Sequence, residues 1–113
     1  MEGPNMKALK QIHNDHLQWD GTFVGLVPKI KQERTAKWIE AAEDIDFSLV
    51  QLLRDKQRFA IAHVLLTFRS KAEYESDASQ WNGLHVTLQA SGVARYDERD
   101  MDTLYNKWRA AVK

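Results

Sequence analysis

The ten residues from Phe59 to Phe68 constrain this chain more than any other part of it. They carry no formal charge, lie between Arg58 and Arg69, and place Phe59, Ile61, Ala62, Val64, Leu65, Leu66 and Phe68 almost all the way round a helix. A helix that is apolar on every side has to be covered on every side. The run is about half the roughly 20 residues that a membrane span needs, so the cover must come from the rest of the chain. The segment therefore predicts a buried central helix, and 113 residues suffice for one domain, 1–113, built on one core.

Its neighbours are predicted from spacing. Asp46 is placed to cap a short helix from Phe47 to Arg54, and a turn at Asp55-Lys56-Gln57 leads into Arg58 to Arg69. A connection this short makes the two helices antiparallel. Near the N-terminus Met6, Leu9, Ile12, His13 and His16/Leu17 recur at three and four. That spacing predicts an amphipathic helix from Met6 to Leu17, capped by Asn5 after Pro4 and ended by Trp19-Asp20-Gly21. Gly25 and Pro28 then interrupt the apolar run Phe23, Val24, Leu26, Val27, and Pro28 suits the first turn of a helix. From there Lys29/Glu33 and Glu33/Lys37 pair at i,i+4 on a solvated face, while Ile30, Trp38, Ala41, Ala42 and Ile45 point elsewhere, as one helix or as two broken near Arg34-Thr35. Asp97 is positioned to cap a last helix with Glu98 and Asp100 in its first turn. Met101, Leu104, Tyr105, Trp108, Ala111 and Val112 form its apolar stripe, and Lys107, Arg109 and Lys113 lie toward its C-terminal end.

Between residues 73 and 97 the period changes. Ser76, Asp77, Ser79, Asn82 and Gly83 mark loop, and Leu84-His85-Val86-Thr87-Leu88-Gln89 alternates as a half-buried strand does. Ala90-Ser91-Gly92, with Gly92 in the left-handed region, can close a hairpin onto Val93 to Tyr96. Pairing Gln89 with Val93 sets Leu88 against Ala94, Thr87 against Arg95 and Val86 against Tyr96, so that Leu84, Val86, Leu88, Ala94 and Tyr96 share a face. The expected fold class is mainly α: a layer of four to five helices with an α-hairpin at its centre, and one two-stranded antiparallel β-hairpin before the C-terminal helix. The stretch Leu49-Val50-Gln51-Leu52-Leu53-Arg54-Asp55 followed by Phe59 to Phe68 resembles the helix pair of a HEAT or armadillo repeat. No second copy at a fixed period accompanies it, so the resemblance implies a helical pair rather than a solenoid. The tract from Trp81-Asn82-Gly83-Leu84 through Tyr96-Asp97 likewise resembles small bacterial proteins with HEAT-like helices, and no activity comes with that resemblance.

Sixteen basic residues balance sixteen acidic ones, and no third of the chain departs far from neutrality. This argues against nucleic acid, whose binding draws on a surplus of Lys and Arg. Lys29, Lys31, Arg34 and Lys37 are interleaved with Glu33 and read as a solvated face. With no cysteine, thiolate metal sites and thiol nucleophiles are excluded. The opening Met1-Glu2-Gly3-Pro4-Asn5 lacks the basic start of a secretory signal, so the expectation is cytoplasmic, without membrane contact. The five glycines match no phosphate-binding loop, and no cofactor is expected.

Candidate chemistry rests on histidine. His13 and His16 share a helix face near Asp15 and Asp20, a spacing compatible with a divalent cation but common in structural roles; no metal is expected. His63, between Ala62 and Val64, is either a general base or a neutral core histidine, and no nucleophile is signalled for it to activate. Trp38 and Trp108 fall on apolar faces and are expected in the core, whereas Trp19 and Trp81, before Asp-Gly and Asn-Gly, suit either a plug or a projecting anchor. The leading expectation is a noncatalytic protein-interaction module. A partner or a second copy would add a strand to the hairpin edge, with Trp19, Trp81, His85, Thr87, Gln89 and Arg95 as the contact residues and no catalytic residue assigned. The alternative is a small enzyme or ligand- or metal-binding protein using His63 or the His13/His16 pair with a carboxylate.

Overall fold

A computed structural model describes residues 9–22, 25–31, 33–43, 45–71, 73–77, 79–91 and 93–112. Helical residues 9–11 run into a single 3-10 turn, Asn14–His16, and then into strands β1 (Leu17–Thr22) and β2 (Gly25–Ile30). Three helices follow: α1 (Glu33–Ala41), α2 (Asp46–Leu52) and α3 (Phe59–Ser70). Strands β3 (Gln80–Trp81), β4 (Leu84–Leu88) and β5 (Ala94–Tyr96) precede helix α4 (Asp100–Ala111). The Asn5 cap after Pro4, Met6, the apolar Phe23 and Val24, the Gly92 conformation and Lys113 lie outside the described residues, as do the Glu33 side-chain pairs.

The expected mainly α class is corrected. Two antiparallel sheets, β1-β2 and β3-β4-β5, stand beside the helices, so the fold is an α/β mix rather than a helical layer carrying one hairpin. The Met6 to Leu17 helix ends by residue 11, and Trp19-Asp20-Gly21 belongs to β1. Leu17 and Trp19 are buried while Gln18 and Asp20, which alternate with them, are exposed, a period of two that overrides the helical spacing before it. Pro28 opens no helix. It sits in β2 opposite Trp19, and since Leu26 two residues earlier turns its N–H away from β1, Pro28 has its missing donor on that same outward side. Helix α1 consequently starts at Glu33.

The centre keeps the expected pair of helices, but Asp46 does not cap the first of them: it lies within α2, whose N-cap residue, Ile45, makes no side-chain cap bond. All residues of α3 from Phe59 to Thr67 are buried, and α2 packs against it across a short connection. Arg58 at its N-cap offers no side-chain cap. The cap comes from far upstream: buried Asn14 accepts from the N–H groups of Ala60 (3.0 Å) and Ile61 (3.1 Å) through Oδ1, and donates through Nδ2 to the Lys56 carbonyl (3.1 Å). Those are N–H groups that a helix leaves without partners of its own. At the other end Arg69 donates to the carbonyls of Ile39, Glu40 and Ala42 and pairs with Asp46, tying the end of α1 to the start of α2.

The two sheets meet at residues 76–77. Leu26 donates its N–H to the Asp77 carbonyl (3.2 Å), Ser76 Oγ donates to the Leu26 carbonyl (3.0 Å), and Ser76 bridges to Trp81. Gly25 makes this approach possible. Its φ is 118°, and a Cβ there would lie 2.7 Å from Ser76 Oγ and 2.9 Å from the Asp77 nitrogen.

The hairpin register is as derived: Val86 pairs with Tyr96, Thr87 with Arg95 and Leu88 with Ala94, and Gln89 donates its N–H to the Val93 carbonyl at 2.9 Å. A third strand adds to it. Gln80 pairs with His85 and Trp81 with Leu84 across Asn82-Gly83, whose φ values of 49° and 90° fit a type I′ turn. Helix α4 starts at Asp100 rather than beside Asp97, whose carboxylate caps the Arg99 N–H instead.

Candidate functional site

Alternation along β4 and β5 puts His85, Thr87, Gln89 and Arg95 on the exposed side of the hairpin, where the sequence places them. The inner side carries Leu84 and Val86, both buried, and Tyr96, whose hydroxyl accepts from Trp19 Nε1 at 2.9 Å. Burial drives the Tyr96 hydroxyl up to about 12, against the indole hydrogen bond. Toward the tip the apolar cover ends: Leu88 is 38% exposed and Val93 56%.

The β4–β5 register also dictates which backbone groups are free. Gln89 and Val93 are a hydrogen-bonded pair, so two residues on Thr87 and Arg95 are another. The N–H and C=O of Ala94 and Tyr96 then point away from β4. With β5 at the sheet edge, they meet no further strand among the described residues. The ladder stops beyond Arg95 because a side chain takes its next place: the His85 N–H donates to Asp100 Oδ2 at 2.6 Å.

Asp100 was not singled out by the sequence as more than a helix-dipole partner. It is nearly buried, and its carboxylate also meets His85 Nδ1 at 3.0 and 3.1 Å, joining β4 to the first turn of α4 while leaving the imidazole 61% exposed. Asp97 lies beside this pair. The Arg99 side chain, then its backbone N–H, holds Asp97 below the usual carboxylate range, and His85 adds to the effect.

The remaining histidines are used internally. His63 is fully buried in α3, and Trp108 Nε1 donates to its Nδ1 at 2.8 Å. Burial first, then the Lys107 ammonium, lowers its pKa to about 4, against the opposing backbone of Trp81 and Asn82. At the 3-10 turn, His13 Nδ1 accepts the Asp15 N–H (3.0 Å) and His16 Nδ1 accepts the His13 N–H (3.1 Å), a reciprocal capping box. Burial, then His13, lowers the His16 pKa. Among the described residues no group of three or more His, Asp or Glu side chains converges to hold a metal.

Trp19 and Trp81 are in the interior, which corrects their place among the contact residues. Trp81 is fully enclosed and packs edge-on against His63 and Phe68, and Trp19 packs edge-on against Trp81. Trp108 is buried as expected. Trp38, expected in the core, is 42% exposed, because Ala36 and Ile39 take the inner side of α1. Two open grooves, of about 550 and 650 Å³, flank the 73–77 segment. They share Tyr74, Glu75 and Gln80, and neither is lined by a histidine. No described helix is long and apolar enough to cross a membrane. Comparison with family models, with curated proteins and with solved structures gives no match, so the functional reading rests on the site's own geometry.

Proposed function

We propose that this chain is a noncatalytic interaction module, acting in the cytoplasm, that binds an extended segment by strand addition at the β5 edge. One observation carries the reading: the backbone groups of Ala94 and Tyr96 turn outward from the end of a sheet, next to the exposed Leu88 and Val93. Unpaired edge groups of this kind template a further strand, whose main-chain hydrogen bonds supply affinity while alternate side chains supply selectivity. His85, Thr87, Gln89 and Arg95 present a polar outer face to the incoming strand. The histidines invoked by the alternative enzyme reading are committed elsewhere, His63 to Trp108 and His13 and His16 to backbone N–H groups.

The test is selection of peptides from a random displayed library on the immobilised chain, followed by titration against Ala94→Pro. Proline removes one outward donor and leaves the Thr87–Arg95 pair in place. Recovered peptides should lose about tenfold in affinity, the equivalent of one to two hydrogen bonds. Peptides that bind Ala94→Pro unchanged, or no recovered peptides at all, would overturn the reading.

A further inference from the structure

The β5 edge also carries information about which strand it accepts. We infer that its occupant is the β5 of a second copy of this chain, paired antiparallel about a two-fold axis at Tyr96. This inference rests on the strand-addition reading above.

Only registers that face outward-bonding residues with one another are available, and on β5 those are Ala94 and Tyr96. Three symmetric or reciprocal pairings result. Setting Ala94 against Tyr96 places Arg95 directly opposite Arg95 on the same face, where like charges repel. Centring on Ala94 sets Arg95 against Val93, with no charge matched. Centring on Tyr96 sets Arg95 of each copy against Asp97 of the other, twice, by symmetry. That register alone pairs opposite charges.

Each side of the pair is ready for it. Arg95 is exposed and makes no ion pair among the described residues. Asp97 directly follows the end of β5, and its carboxylate stands close enough to His85 of the outer face to feel its charge. Asp97 already receives the Arg99 backbone N–H and, through both oxygens, the Arg99 guanidinium, at 2.8 to 3.2 Å, so Arg95 of the second copy takes acceptor sites from the Arg99 side chain, which is 91% exposed and free to swing away. The result is a six-stranded sheet in the order β3-β4-β5-β5-β4-β3. So short a contact makes a weak dimer, and one sensitive to salt.

Charge exchange tests it. Sedimentation of the wild-type chain over a rising concentration series at low salt should show a growing dimer fraction, reduced by added salt. Arg95→Asp and Asp97→Arg should each dimerise about tenfold more weakly, since attractive pairs become repulsive. An equimolar mixture of the two variants should recover a 1:1 heterodimer, because position 95 of each variant then faces the opposite charge at position 97 of the other. If Asp97→Arg frays the start of α4, Arg95→Glu serves with the salt series as the second probe. A wild-type chain monomeric throughout, or variants that dimerise as the wild type does, would overturn the inference. A monomer that still binds library peptides in an Ala94-dependent way would remove the self-pairing and leave the strand-addition reading standing.

Discussion

His63 is a titratable group consumed by the core. An indole N–H only donates, so its bond to Nδ1 requires that nitrogen to be unprotonated and assigns the ring proton to Nε2. Charging the ring would set two donors against each other in a site from which water is excluded. The folded pKa of about 4 lies below the ordinary 6.5, so between these values the unfolded chain binds more protons. The stabilisation is therefore complete above about pH 6.5 and is lost as pH falls through about 4, on the order of 3 kcal/mol in all. Urea unfolding at several pH values should show this slope, and His63→Gln, which keeps an acceptor for Trp108 without titrating, should flatten it. His16, also lowered, acts in the same direction, so the difference between the two chains isolates His63. An equal slope in both would contradict the assignment. The burial of His63 was legible from its apolar neighbours. Its partner was not, because Trp108 lies 45 residues away and a hydrogen bond at that separation leaves no spacing to read.

At the scale of elements, the helices with one continuous stripe were legible and the elements defined by remote contacts were not. The α3 segment follows from its unbroken apolar run and the β4–β5 register from alternation together with the Ala90-Ser91-Gly92 loop, and both agree with the structure. The β1–β2 pair was hidden because His16/Leu17 continues the three-and-four pattern of Leu9, Ile12 and His13, because Trp19-Asp20-Gly21 reads as a helix stop, and because Pro28 suits a helix start as well as an outward-facing strand position. Asn82-Gly83 was a hairpin signal passed over as loop, since only two residues, Gln80 and Trp81, precede it in the strand. Two substitutions probe these joints. Asn14→Ala should destabilise the chain by about 2 kcal/mol in chemical denaturation, by leaving the Ala60 and Ile61 N–H groups unpaired. Gly25→Ala should cost about 1 to 3 kcal/mol, because its φ is unfavourable to alanine and the new methyl meets the 76–77 backbone. A stability unchanged by either would show that the cap or the sheet junction is misassigned.

For the whole molecule, polar side chains close the fold, with Asn14 and Arg69 at helix ends, His13 and His16 at the 3-10 turn and Asp100 between sheet and helix, and of these only the two histidines looked chemical in the sequence. Among the described residues, β5 leaves outward pairing capacity in its backbone beside the exposed Leu88 and Val93. The candidate contact face was legible as far as His85, Thr87, Gln89 and Arg95, whose alternation fixes their side of the hairpin. It was not legible for Trp19 and Trp81, since turn-like neighbours say nothing about what a tryptophan meets across the fold. Residue-resolved amide hydrogen exchange tests the central claim directly. In dilute solution the Arg95 amide, paired with Thr87, should be protected while those of Ala94 and Tyr96 exchange at least tenfold faster, and both should gain protection when a strand is bound. Ala94 and Tyr96 amides as slow as that of Arg95 in the dilute monomer would mean that the edge is already covered, and would contradict the account.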